Sequence, residues 1–268
     1  MAYFDPTDKR LKAALERFEI KAWSFSTLET WKDSPARGLM KALKLPVDPV
    51  GIAAIIGNAT ERGVELALTG TPVDEAIQQG NQLIRDFMSF EDPAEITAVC
   101  NKTAQRVKTG YNLMKDLGTP ETQVPIFYEP DWSPIPITGY ADFVYEKHGL
   151  IIDTKAPGQK PAPAKIESYM RQGAIYTHNT NQRFQTLVLL PDVKPRGAKA
   201  VESRHFSYEL DDPAPSIESV KHTIGAICKI LTLSNDPMEI AAHLIPDYSH
   251  FRLNGVVTRQ SAKKLFGY

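Results

Sequence analysis

Near residue 118 the spacing of apolar residues changes period, and that change restricts the chain to folds that combine helices with a sheet. Upstream, the sequence reads as helical. Asp48-Pro49, Thr71-Pro72 and Asp92-Pro93 each pair a capping position with proline at a first helical position, so three helices are expected to begin there. Gly70 and Gly118 are the expected stops. Downstream, five short runs rich in β-branched and aromatic residues read as strands: Val124 to Tyr128, Ile137 to Tyr145, Leu150 to Lys155, Phe184 to Leu190 and Ala200 to Tyr208. A helical stretch from about Ala164 to His178 separates the third from the fourth, with Ile166, Tyr169, Met170, Gly173 and Tyr176 on one face. Strand, helix, strand in that order predicts a right-handed parallel crossover. The loop from Ala156 to Pro163 is too rich in proline and glycine for regular structure. A last helical region runs from Ser216 to Thr232. The expectation is an α/β (α+β) fold forming a single domain over 1–268. Its parts are a helical region (1–120), a mixed central sheet of about five strands with its crossover helix (121–210), and C-terminal helices (211–268).

Composition narrows the class of protein. At 268 residues, 42% apolar and 24% charged, the chain is not generally disordered. No run approaches the roughly 20 uncharged apolar residues of a membrane span, and Met-Ala-Tyr-Phe-Asp-Pro lacks the order of a signal peptide, so a soluble cytoplasmic protein is expected. Cys100 and Cys228 stand far apart with no second cysteine or histidine near either, and read as buried small apolar residues. The net charge of −1 gives no overall attraction for nucleic acid. One segment differs. Between Lys155 and Arg204, nine basic residues (Lys155, Lys160, Lys165, Arg171, Arg183, Lys194, Arg196, Lys199, Arg204) face only Glu167, Asp192 and Glu202, a local charge of +6. That is either a solvated basic surface or a patch for a polyanion.

Two acidic residues stand in apolar strands, where carboxylates are costly unless compensated: Asp142 in Gly139-Tyr-Ala-Asp and Asp153 in Ile151-Ile-Asp-Thr-Lys. Side chains alternate along a strand, so Asp153 and Lys155 share a face and Thr154 points away. The short turn Glu146 to Gly149 lets a hairpin bring Asp142 beside Asp153. Two converging carboxylates need a cation. A buried Asp153–Lys155 salt bridge is one reading, and a divalent metal is the other.

These residues resemble a known family. Gly139-x-x-Asp142, then Asp153-x-Lys155, then Gln172-x-x-x-Tyr176 on the next helix, is similar in order and spacing to the RecB-like and phage-exonuclease branch of the PD-(D/E)xK nuclease superfamily. Asp-x-Lys alone is unspecific; the three motifs in order on strand, strand and helix are not. Gly57-Asn-Ala-Thr-Glu61 resembles the family's upstream helical motif, with Glu65 one turn later on the same face, and Trp23-Ser-Phe-Ser-Thr-Leu28 resembles its opening. The likeness covers about residues 22–190. Ala141 stands where the family name has proline, and Glu61 replaces the more frequent histidine. Ser34-Pro35 replaces the Cys-Pro of the cluster-bearing subgroup, so no iron–sulfur cluster is expected. The histidines at 148, 178, 205, 222, 243 and 250 form no ligand pair at helical or strand spacing.

The resemblance implies a restriction-endonuclease-like core and a Mg2+-dependent DNA exonuclease of recombination, repair or phage DNA processing, with Mn2+ as a substitute. By analogy Asp142, Asp153 and the Thr154 carbonyl are metal ligands, and Glu61 is a third ligand or the anchor of a second ion, Glu65 being the other candidate. Lys155 would hold the attacking water or the scissile phosphate. Gln172 and Tyr176 would contact the DNA strand, unless they belong to an ordinary helix packing a tyrosine on the sheet. Lys160, Lys165 and Arg171 would contact phosphates. The implied partners are ends of duplex or single-stranded DNA, a second copy of the chain, and a single-strand-annealing or recombination protein, with no membrane. For a phage-encoded member the compartment is the host cytoplasm. A structure-specific or restriction-like endonuclease and a catalytically inactive DNA-binding scaffold are the alternatives. No Walker loop is present, so no motor is attached within this sequence.

Overall fold

The computed structural model describes residues 4–193, 202–250 and 252–267, apart from the side chains of residues 179 and 202. Lys194, Arg196 and Lys199 of the basic segment, and Ala200-Val201 of the last expected strand, lie outside the described residues. The elements in chain order are α1 (Lys9–Arg17), β1 (Trp23–Ser24), α2 (Phe25–Asp33), α3 (Pro35–Ala42), α4 (Ile52–Leu68), α5 (Val73–Phe87), α6 (Pro93–Met114), β2 (Glu121–Tyr128), β3 (Ile137–Tyr145), β4 (Leu150–Lys155), α7 (Pro163–Thr180), β5 (Arg183–Val193), β6 (Glu202–Glu209), α8 (Ala214–Leu231), α9 (Pro237–Ala242) and α10 (Val256–Phe266). The strands form a six-stranded mixed sheet in the order β1-β3-β4-β5-β6, with β2 also pairing β3. Among the described residues no helix is long and apolar enough to cross a membrane.

Contacts divide the chain into two compact units, each made of separate stretches of sequence. The first comprises Met1–Pro49, Ile126–Gly139 and Ala214–Tyr268; the second comprises Val50–Pro125 and Tyr140–Pro213. In the first unit, Trp23 and Ser24 pair in parallel with Ile137 and Thr138, a strand placed in a region that reads as helical. It is only two residues long because the Ser24 hydroxyl accepts a bond from the Thr27 amide at 3.2 Å and caps α2.

The second unit has three layers. On one face of the sheet Val64, Leu68, Ile77, Val107 and Met114 from α4, α5 and α6 pack on Phe143, Tyr145, Ile152, Leu187 and Leu189. On the other, Tyr169 and Met170 of α7 pack on Val188, Leu190, Phe206 and Tyr208. Strand β3 runs antiparallel to β4, β4 parallel to β5, and β5 antiparallel to β6. The β4-α7-β5 connection is therefore the parallel crossover expected from the sequence.

Local chemistry sets most helix starts. Asp92 caps α6, accepting from the Ala94 amide at 2.7 Å with Pro93 at the first position. Gly70 and Gly118 end helical stretches with φ of 106° and 88°. Two starts depart from expectation. Pro72 occupies the cap itself, and α5 opens one residue later. Asp48 does not begin a helix at all, since α4 starts at Ile52 behind Gly51. Its carboxylate instead accepts from the amides of Val257 (3.2 Å) and Thr258 (2.9 Å), while its own amide donates to the Thr258 hydroxyl at 2.8 Å. Asp48 thus caps α10, whose own cap residue, Gly255, has no side chain. A Cβ at Gly255 would lie 2.0 Å from Asp48 Oδ2.

Candidate active site

The hairpin of β3 and β4 turns through Glu146–His148 and Gly149, whose φ of 54° suits glycine. Its register pairs Phe143 with Ile152 and Val144 with Ile151. One further step sets Asp142 opposite Asp153. Asp142 Oδ2 accepts the Thr154 amide at 3.0 Å, which ties the two strands together at the point where both acids lie. Thr154 therefore enters the site through its amide.

Asp153 is completely buried, and Asp142 is 9% exposed. The Lys155 ammonium stands 2.8 Å from Asp153 Oδ1 and 2.7 Å from Oδ2, because residues two apart on a strand share a face. Gln172 Nε2, on α7, donates to Asp153 Oδ1 at 3.0 Å and to the Tyr176 hydroxyl at 2.9 Å. Gly173 makes that reach possible: a Cβ there would stand 2.1 Å from Cδ1 of Phe184 on β5, so α7 lies closer to the sheet than any side chain would permit. Asp153 Oδ2 has the ammonium beside it but no hydrogen bond of acceptable angle.

Electrostatics at this cluster are unbalanced. Burial, then the charges of Asp153 and Glu61, push the Asp142 carboxyl well above the usual range, despite Lys155 and the Thr154 amide. Burial likewise raises Glu61, and Asp153 and Glu65 add to it against Lys155 and Gln123. Burial works against the Lys155 ammonium, but Asp153 and Asp142 outweigh it and hold its pKa above that of free lysine. The Tyr176 phenol is raised to about 12, chiefly by burial. One ammonium thus serves three carboxyl groups. Complete ionisation would leave an excess of negative charge in a largely buried site.

Glu61 and Glu65 sit one turn apart on α4 but have different surroundings. Glu65 accepts from Arg62 Nη1 (2.9 Å) and the Thr122 hydroxyl (3.2 Å). Glu61 accepts from Gln123 Nε2 at 2.6 Å and feels Asp153 and Lys155. Of the two, Glu61 is the one on which the charges of the cluster act. Both line a recess of about 360 Å³ together with Asn58, Arg62, Gln79, Leu83 and Gln123.

Among the described residues no three His, Cys, Asp or Glu side chains are already arranged to hold a metal ion. Direct ligation by Glu61 alongside both aspartates is therefore not a geometry the side chains adopt here. The donor chemistry nonetheless fits a hard cation. Mg2+ commonly takes only one or two carboxylates and fills its remaining positions with water and substrate oxygens. Asp142 and Asp153 are such a pair, and the Asp153 Oδ2 atom without a hydrogen bond offers a lone pair.

Other expected residues are placed differently. Lys160 and Lys165 are exposed, as phosphate contacts must be, with their ammonium groups 4.7 Å and 5.5 Å over the rings of Phe206 and Tyr169. Arg171 is only 7% exposed, so it is not presented as a surface phosphate contact; it falls on a buried stretch of α7 with Ser168, Ala174 and Ile175. Tyr176 is 3% exposed, and the Gln172 amide is turned inward. As placed, Gln172 bonds Asp153 and is itself bonded to the Tyr176 hydroxyl. Sequence reasoning missed Thr122 and Gln123, which lie just before the expected strand start at Val124. Both cysteines are free and buried.

No protein-family pattern matches the chain, and no curated protein matches it in sequence. Solved structures do. One from Eubacterium rectale, named "putative exonuclease", has a TM-score of 0.53 at 14% identity, over 85% of this chain and 87% of its own. Another, SSO0001, has a TM-score of 0.32 at 15% identity, over 69% and 81% of the two chains. The first likeness shows the fold: a mixed sheet flanked by helices, shared with a protein named as an exonuclease.

Proposed function

We propose that the chain is a Mg2+-dependent deoxyribonuclease of the PD-(D/E)xK kind that hydrolyses phosphodiester bonds at DNA ends. One observation carries this reading: Asp142, Asp153 and Lys155 from adjoining strands, with Gln172 from α7, meet in one buried cluster linked by bonds of 2.7–3.0 Å. A purely structural ion pair needs one carboxylate for its ammonium, and such pairs rarely repay their desolvation. Here two further carboxyl groups are pressed towards the same charge, at a cost that function would explain.

Asp142 and Asp153 would hold the cation. When bound, Mg2+ supplies charge neutralisation at the phosphate oxygens and lowers the pKa of a water at neutral pH. Lys155, charged and with 27% of its side chain exposed, can orient the attacking water or a phosphate oxygen. Gln172 fixes the Asp153 carboxylate through Oδ1, and Tyr176 fixes Gln172. Lys160 and Lys165 offer exposed charge for the DNA backbone. The name of the E. rectale neighbour, an exonuclease, supports action at chain ends.

The test is digestion of end-labelled linear duplex and single-stranded DNA with Mg2+ or EDTA, beside a supercoiled circle. The proposal expects Mg2+-dependent release of label from linear DNA and an intact circle. Cleavage of the circle would assign an endonuclease, and no cleavage of any substrate would leave a DNA-binding scaffold.

A further inference from the structure

Among the described residues other than glycine, four have a left-handed backbone: Glu19, Lys44, Gln123 and Asn181. Three of them follow the last turn of a helix, where that conformation is an ordinary way to stop: Glu19 just past α1, Lys44 just past α3, and Asn181 at the end of α7. Gln123, with φ of 51°, lies inside strand β2. A left-handed residue that is neither glycine nor asparagine costs free energy and persists only where its surroundings impose it.

What the conformation achieves can be read from the next residue back. In a regular strand Thr122 and Gln123 would point to opposite faces. Here both reach α4: the Thr122 hydroxyl donates to Glu65, and the Gln123 amide donates to Glu61 Oε1 at 2.6 Å. The local break in β2 turns two successive side chains towards one helix, as a bulge beside a site re-aims a side chain. Glu61 has no other hydrogen bond among the described residues, whereas Glu65 has two.

We infer that Gln123 is a positioning residue whose strained backbone aims its amide at Glu61 and fixes that carboxylate where its charge adds to those of Asp142 and Asp153 when a divalent cation binds. This rests on the nuclease reading above. Holding one oxygen of Glu61 leaves the other free and keeps the side chain from swinging within the recess that it lines together with Gln123, Asn58, Gln79 and Leu83.

The inference separates two quantities that a merely structural residue would move together. Gln123→Gly removes the amide and the strain, so thermal stability should equal or exceed that of the wild type. Gln123→Ala removes the amide and keeps the strain, so stability should be unchanged or lower. Both should weaken Mn2+ binding to the full chain without DNA by about tenfold, the lower end of the range for groups that act from outside the ligand set. Isothermal titration with Mn2+ and a melting curve for each variant and for Asp153→Ala read both quantities. Unchanged Mn2+ affinity in both Gln123 variants, with binding lost in Asp153→Ala, overturns this inference and leaves the nuclease reading standing. A wild-type chain that binds no Mn2+ overturns both.

Discussion

Asp142 shows most plainly that the site is built at a cost. Its carboxyl is held above its ordinary value of 3.8 by burial and by neighbouring carboxylates. The folded chain therefore keeps this proton after the unfolded chain has lost it. Its contribution to stability is greatest in acid and erodes as the pH rises above about 4. Asn at 142 can still accept the Thr154 amide but carries no charge. Asp142→Asn should melt higher than the wild type at pH 8, by roughly 2–4 °C for each kcal/mol relieved, with the gap closing towards pH 4. Its nuclease rate should fall at least a hundredfold. A melting series in pH beside a rate assay checks both. Lys155→Met should move stability the other way, by up to about 3 kcal/mol, because it strands the buried Asp153 carboxylate; a urea titration reads this. Asp142, Asp153 and Lys155 were legible in the sequence because strand alternation and a short turn leave few ways to arrange them. Gln123 was not, since a left-handed residue with no glycine or asparagine to mark it has no local signal. For Gln172 and Tyr176 the sequence left two roles open for a related reason: their shared helical face is visible in sequence, but whether it meets solvent or the sheet depends on packing.

At the scale of elements, position comes from close approach. Gly173 lets α7 sit against Phe184, and that distance brings Gln172 to Asp153. Gly173→Ala should push the helix outward, cost about 1–3 kcal/mol in a urea titration, and lower activity to the same extent as Gln172→Ala should. The same substitution at Gly158, where a Cβ meets nothing within 4 Å, should change neither. Strands β2 to β6 and helices α6, α7 and α8 were legible from periodicity and from caps such as Asp92-Pro93. Strand β1 was not, because two residues carry no period. Asp48 was misassigned because its helix begins more than two hundred residues further on, beyond any local rule. The Thr258 hydroxyl and amide hold the Asp48 carboxyl below its usual value, so its support of α10 is present above that range and lost in acid. Asp48→Asn should lower the melting temperature at pH 7, and the difference should shrink as the pH falls through the carboxylate range.

For the whole molecule, a net charge of −1 means that the proposed attraction for DNA must be local. Lys160 and Lys165 are exposed lysines on the segment that joins Lys155 to Gln172, and each neutralised phosphate contributes about 0.9 to the slope of log affinity against log salt. A Lys160→Ala, Lys165→Ala double variant should bind linear duplex in EDTA with a salt slope shallower by about 2. An unchanged slope would move the DNA path elsewhere on the surface. The claim on which all of this depends is that the buried strand carboxylates serve hydrolysis and not only structure. Nucleotide release from linear duplex in Mg2+, compared between the wild type and Asp153→Asn at matched folded concentration, tests it most directly. The account predicts release by the wild type and a loss of at least a hundredfold in the variant. Equal rates in the two would contradict it.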